Sequence, residues 1–172
     1  MRNLWVIRPE PNYTNRLREF LEQGMMAIGW PGMGDLSGGL SREDISQRLR
    51  ATYTHYETDQ KHDLSVAAGI LDRFVNQVKV GDYVLVPEEP RFYIGEVLSD
   101  YIFKPELDND GADAGYPHWR AVRYLKNGES FAAIKNLPLG ARRAVECHLT
   151  FFSIHSAAKE TWAFLGIDHG AA

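Results

Sequence analysis

Strand and helix signals alternate in this chain only as far as residue 80, and after that point short β-rich runs dominate. "LWVIRP" (4–9) opens as a strand that stops at Pro9, and Leu17, Phe20 and Leu21 then recur at helical spacing. "MMAIGW" resumes as a strand, two amphipathic helices follow, and the remainder reads as strands with one short helical piece and a helical tail. A doubly wound nucleotide-binding sheet needs strand-helix alternation throughout, so that architecture is disfavoured. The order β-α-β-α-α followed mostly by strands predicts an α+β fold with a mixed or barrel-like sheet. At 172 residues and 44% hydrophobic content, the chain can bury one substantial core but would be cramped as two domains. Residues 1–155 are read as a single domain, and 156–172 as a C-terminal helical tail.

Local signals place the elements. Thr14 or Asn15 can cap the first helix and Gly24 suits its C′ position. Ser41 with Asp44 resembles a capping box, opening a helix over about 42–52, and Asp63 can cap the next, with Val66, Ile70, Leu71, Phe74 and Val78 on its apolar face. Gly81-Asp82 marks a tight turn before a strand 83–86 halted by Pro87. A short turn at 88–90 leads into a strand over 91–103, then an Asp/Asn/Gly-rich loop over 104–117. "HWRAVRYLK", a turn at Asn127-Gly128, a piece around "LPLGARRAVE" and the strand 148–154 complete the domain.

Several chemistries are disfavoured by these residues. The stretch 54–63, "THYETDQKHD", reads as a polar connection. Cys147 and His148, adjacent on a strand, point to opposite faces and cannot readily form a dyad, so Cys147 is read as a small core residue. The six histidines show no metal-ligand spacing, and Asp108, Asp110 and Asp113 lack the register of a calcium loop. "GWPGMGDL" lacks the Lys-Ser/Thr of a P-loop, and no helix opens directly at its turn. No metal or cofactor is expected. The single cysteine suits a reducing, cytoplasmic setting, and no apolar run is long enough for a membrane span.

The net charge of −4 argues against coating nucleic acid by charge alone. The distribution is uneven, however: residues 81–114 hold two basic and nine acidic side chains, whereas 115–148 hold six basic and two acidic. Arg120, Arg123, Lys126, Lys135, Arg142 and Arg143 make that stretch locally positive, which also describes an ordinary solvated face. Aromatic residues gather at strand ends and loops, notably Trp30, Tyr93, Tyr101, Tyr116 and Trp119. Such rings can line a pocket and stack on a flat base, although aromatics also fill cores, and both readings stay open for Trp30 and Trp119.

Taken in order, "WVIRP", "FLEQGMMAIGWPGMGDLS", "AAGILDRFVNQVKVGDYVLVP", "YIGEVLSDYIF", "HWRAVRYLK" and "LTFFSI" resemble the PUA-like superfamily. The likeness is to its EVE/YTH-like branch and to the N-terminal recognition domains of Mrr-type and McrBC-type modification-dependent restriction enzymes. It spans about residues 4–154. The resemblance implies a twisted mixed sheet or small barrel flanked by helices, with a concave pocket that receives a flipped or unpaired modified base. On this reading Trp30 is one wall, and Tyr101, Tyr116 or Trp119 supplies a second, with Tyr93 nearby. Asp35 either accepts a hydrogen bond from the base or caps the following turn. Arg120, Arg123, Lys126, Arg142 and Arg143 would hold flanking phosphates.

The implied function is a non-catalytic module that reads a modified base, in DNA ahead of RNA, within a restriction, defence or nucleic-acid-modification system. Neither a nuclease signature nor a P-loop is visible in this sequence, so the expected protein is either a stand-alone reader or a recognition domain separated from an effector nuclease or motor. The competing readings are a hydrolase of modified nucleosides, similar to the ASCH branch and using Asp35 or Glu96, and a small-ligand or protein-interaction sensor.

Overall fold

The computed structural model describes residues 2–57, 61–155, 158–168 and 170. The protein is a mixed α+β fold in which a strongly curled mixed sheet forms a half-barrel flanked by helices. The main path runs through β2 (Met25–Ile28), β6 (His118–Tyr124), β4 (Arg91–Val97), β3 (Tyr83–Glu88), β1 (Leu4–Ile7) and β8 (Phe151–Ser153). Two short strands lie off it: β5 (Ile102–Phe103) pairs with β6, and β7 (Ala132–Ala133) pairs with β4. Among the described pairings only β1 with β3 is parallel.

The period of two along β1 and β3 divides the interior. Trp5, Ile7, Val84 and Val86 enter a core with residues of α1 (Leu17–Gln23), α2 (Arg42–Thr52) and α3 (Lys61–Asp72). Leu4, Val6, Tyr83 and Leu85 point the other way, into a second core with α4 (Leu139–Val145) and α5 (Ala158–Leu165). These strands are buried on both faces, which is why "LWVI" and "YVLV" read as continuous apolar runs. Trp162 and Leu165 of α5 are buried in the second core.

Two polar devices fix the sheet. Gly81 turns the chain at φ +88°, and the buried Asp82 carboxylate accepts the Asn3 N–H at 2.9 Å, the Trp5 indole N–H at 2.8 Å and the Lys79 N–H at 3.0 Å. One side chain thereby ties β1 to the turn that launches β3. Arg120 of β6 is 1% exposed. Its guanidinium donates to the carbonyls of Phe74 at 2.8 Å, Val75 at 2.9 Å and Ser99 at 3.0 Å. The first two belong to the π-helical segment Arg73–Gln77 that continues α3, so Arg120 anchors the end of that helix to the sheet.

Several boundaries shift from the sequence reading. β3 runs through Pro87, whose missing N–H costs the ladder little at the strand's last turn, and the expected strand 91–103 breaks into β4 and β5. Asp63 lies inside α3, in its first turn, and is not its cap. The Asn15 side chain accepts the Leu17 N–H at 2.9 Å, although Arg16 is the capping residue of α1. Cys147 and His148 precede β8 and do not lie on it, and Cys147 is only half-buried.

Candidate functional site

β2 ends at Ile28, two residues short of Trp30, and Trp30 itself adopts φ +59°. A bulky residue in the left-handed region is a local backbone cost of roughly 1–2 kcal/mol, sustained only where surrounding structure enforces it. Five non-glycine residues have positive φ among those described: Asn12, Tyr13, Trp30, Lys126 and Asn127. The first three border a single cavity of about 330 Å³.

Three segments build that cavity. The turn Pro11–Tyr13 forms one side and Gly29-Trp30 the floor. The 3-10 turn Thr54–Tyr56 after α2 brings Tyr53, His55 and Tyr56 to the other side. Tyr53 and Tyr56 meet edge-to-face at 6.0 Å, and His55 lies 4.0 Å from Tyr56 between ring centroids. The Trp30 indole N–H donates to the Tyr56 hydroxyl at 3.5 Å, and the Tyr53 hydroxyl donates to the Pro31 carbonyl at 2.5 Å. Burial pushes the Tyr53 phenol pKa up, with Asp110 adding to the effect, so the hydroxyl stays protonated as that donor. Arg8, Glu10, His148 and Thr150 complete the polar part of the lining. The Arg8 guanidinium donates to the Val145 carbonyl at 2.9 Å and the Cys147 carbonyl at 2.6 Å, which fixes it against the end of α4.

The glycine-rich turn after Trp30 is held from an unexpected direction. Gly32 (φ +86°) and Gly34 (φ +70°) direct their N–H groups at the Asp108 carboxylate, at 2.6 and 3.1 Å. The turn is an anion nest, and its anion is the protein's own. Asp108 thus has a structural role in holding this turn. No group of three or more His, Cys, Asp or Glu that could hold a metal occurs among the described residues.

His118, opposite Ile28 at the end of β2, is fully buried, with Nδ1 2.8 Å from the Tyr101 hydroxyl. That hydroxyl also accepts the Leu36 N–H at 3.3 Å. Nε2 completes no hydrogen bond among the described residues. Burial pushes the His118 pKa down to about 4, against opposing pulls from the Trp30 backbone, Asp108 and Asp35.

The sequence-predicted residues do not assemble as expected. Tyr93, Tyr101, Tyr116 and Trp119 do not line the Trp30 cavity. Tyr101 and Tyr93 pack against the main core, and the Tyr101 hydroxyl is engaged by His118 and Leu36. Tyr116 and Trp119 stack on each other at 6.0 Å, with Arg16 over the first ring at 4.7 Å and Lys104 over the second at 5.0 Å. Asp35 is exposed and takes the turn-capping alternative, its carboxylate accepting the Ser37 N–H at 2.8 Å.

The phosphate set also disperses. Arg120 is unavailable to a phosphate because it is buried against carbonyls, and desolvation lowers its pKa to about 10. Arg123 pairs with Glu96, and Lys126 donates to the Phe131 carbonyl at 2.7 Å. Arg142 lines a different groove and Arg143 is exposed on α4. Sequence reasoning missed Tyr13, Tyr53, His55 and Tyr56. The density of rings over 53–56, in a segment that must connect two helices, was the available signal.

Fold and site together define a small α+β domain whose curled sheet supports a preorganised aromatic cavity. The chain belongs to the family described as Domain of unknown function (DUF8426), which matches residues 5–144. The matched span includes Trp30, the 53–56 wall and Asp108, but stops short of His148. No curated protein matches the chain.

Proposed function

We propose that this protein is a PUA-like, EVE/YTH-like domain that binds nucleic acid without catalysis of its own, receiving a modified or flipped base in the Trp30 cavity. The observation that carries this reading is the convergence of strained backbone and aromatic rings. Asn12, Tyr13 and Trp30 hold left-handed conformations at the one cavity walled by Trp30, Tyr53 and Tyr56. Backbone strain concentrated at a pocket supports a binding role, because folding alone favours glycine at such positions. Its volume lies at the small end of the range for ligand pockets, a size suited to one planar ring system. Unstacking a base costs a few kcal/mol, and an aromatic slot offsets that cost.

Modified DNA is the proposed partner ahead of RNA, in a cytoplasmic setting, with any nuclease or motor supplied by a separate chain. Glu96 is paired with Arg123 and Asp35 caps its own turn, so neither carboxylate offered for a nucleoside hydrolase lines the cavity.

The test is a binding screen with single- and double-stranded oligonucleotides carrying 5-methylcytosine, 5-hydroxymethylcytosine, N6-methyladenine or no modification. The wild type is expected to prefer a modified oligonucleotide. Trp30→Ala should lose that binding while its circular dichroism and thermal midpoint show a folded protein. Equal affinity for every oligonucleotide, or a folded Trp30→Ala variant that binds as well as wild type, would reject the reading.

A further inference from the structure

Tyr13 is 100% exposed, whereas the next most exposed large apolar side chain among the described residues, Val80, is 56% exposed. It occupies φ +64°, directly after Asn12 at φ +51°. Asparagine tolerates this region; tyrosine does not, and an exposed ring gains no burial in return. Nothing in the folding of the turn therefore explains an aromatic residue at this position.

The turn is nevertheless tightly held. A Cβ on Gly29 would stand 2.8 Å from the Asn12 nitrogen, and one on Gly115 would stand 2.5 Å from Asn12 Nδ2. Two glycines from different parts of the chain thus leave room for Asn12 to seat between them. The Tyr13 N–H is bonded to the Glu10 carbonyl at 3.2 Å and the Arg16 N–H to the Pro9 carbonyl at 2.6 Å, which closes the turn on both sides. The result is a ring presented to solvent on a clamped backbone, at the border of the same cavity that holds Trp30.

We infer that Tyr13 is a wedge for double-stranded nucleic acid, and that the partner of this domain is a duplex. The inference rests on the base-pocket reading above and adds what that reading leaves open. Extruding a base leaves a flat apolar gap in the stack, and side chains that fill such gaps compensate for the lost stacking. A rigidly mounted phenol meets this need at low entropic cost, because little of its backbone freedom remains to be lost. A single strand has no such gap, so the wedge contributes to duplex binding and little to single-strand binding.

The experiment measures the intact protein, its Tyr13→Ala, Tyr13→Trp and Trp30→Ala variants against one 5-methylcytosine oligonucleotide, or whichever modified oligonucleotide the screen above selects. Each is tested single-stranded and as a duplex with 2-aminopurine beside the modified base. Tyr13→Ala is expected to weaken duplex binding at least about tenfold and single-strand binding less than about twofold, the equivalent of one stacking contact. Tyr13→Trp should retain duplex binding. The 2-aminopurine fluorescence should rise with wild type and not with Tyr13→Ala.

Equal losses on both forms would make Tyr13 an ordinary contact, and no loss on either would remove it from the interface; both overturn the wedge. Wild-type binding to the single strand but not to the duplex overturns it as well, while the Trp30 pocket stands. If wild type binds neither form of any oligonucleotide, the pocket reading fails and the wedge falls with it.

Discussion

The Asp108 carboxylate accepts the Gly32 N–H at 2.6 Å, so a residue of the acidic loop holds the turn that carries Trp30. A second bond, to Gly34 at 3.1 Å, uses the other oxygen. The candidate site is therefore steadied by a side chain outside its lining. Hydrogen bonds to a charged group contribute about 1.5–3 kcal/mol. Asp108→Ala is expected to lower stability by roughly 1–3 kcal/mol in urea unfolding. It should also weaken ligand binding by loosening the turn, and Asp108→Asn, which keeps one acceptor oxygen, should recover part of each loss. Unchanged stability in the alanine variant would show that the nest does not need its anion.

His118 makes stability depend on pH. Its native pKa of about 4 lies below the unfolded reference of about 6.5. The unfolded chain therefore binds a proton that the folded one refuses. The stabilisation is fully present above about pH 6.5 and is lost as pH falls toward 4, at up to about 1.4 kcal/mol per pH unit from this group. The urea midpoint of wild type should fall between pH 7 and pH 4.5 more steeply than that of His118→Gln, which cannot titrate. Parallel curves would mean that His118 is accessible to protons in the native state.

Relieving Tyr13 should stabilise the fold. Asparagine accepts the left-handed region more readily, and the ring buries nothing, so Tyr13→Asn is expected to raise stability by up to about 1 kcal/mol. A thermal midpoint below wild type would indicate a structural contact for the ring.

Asp82 is the costliest side chain to remove among those considered. Its carboxylate receives the Asn3 and Lys79 amides and the Trp5 indole in a buried setting. Asp82→Ala should lower stability by about 3–5 kcal/mol, because those donors lose their partner away from water. Trp5 fluorescence reports the change directly, and a loss below about 1 kcal/mol would mean that water replaces the carboxylate.

What the sequence disclosed tracks the range of the forces involved. The bounds of α2, its Ser41–Asp44 capping box and the left-handed Gly24 all follow from neighbours within a few residues, and all were legible. So was the Gly81-Asp82 turn, although its reason, a carboxylate shared with Asn3 and Trp5, spans the sheet. The site was legible only at Trp30. Its opposite wall comes from Tyr53 and Tyr56, in and beside a stretch whose polarity marked it as a connection, and no local rule brings a turn after α2 against a turn before α1. Arg120 misled for a related reason. A cation in a basic stretch resembles a surface charge until the carbonyls of Phe74 and Val75 are found around it.

β1 lies between β3 and β8, with Leu4 opposite Tyr83 and Trp5 opposite Ser153. As the chain is synthesised, "LWVI" emerges before either neighbour, and its polar tether joins Asn3 to Asp82 across 79 residues. A strand apolar on both faces must then wait unpaired while α1, β2, α2 and α3 are made, which raises the entropic barrier to closing the sheet and exposes an adhesive edge meanwhile. β1 can pair only once β3 has been made, and its second neighbour, β8, is the last strand of the sheet to emerge, so slow docking of β1 onto β3 prolongs the exposure of that edge during folding without altering the stability of the finished protein.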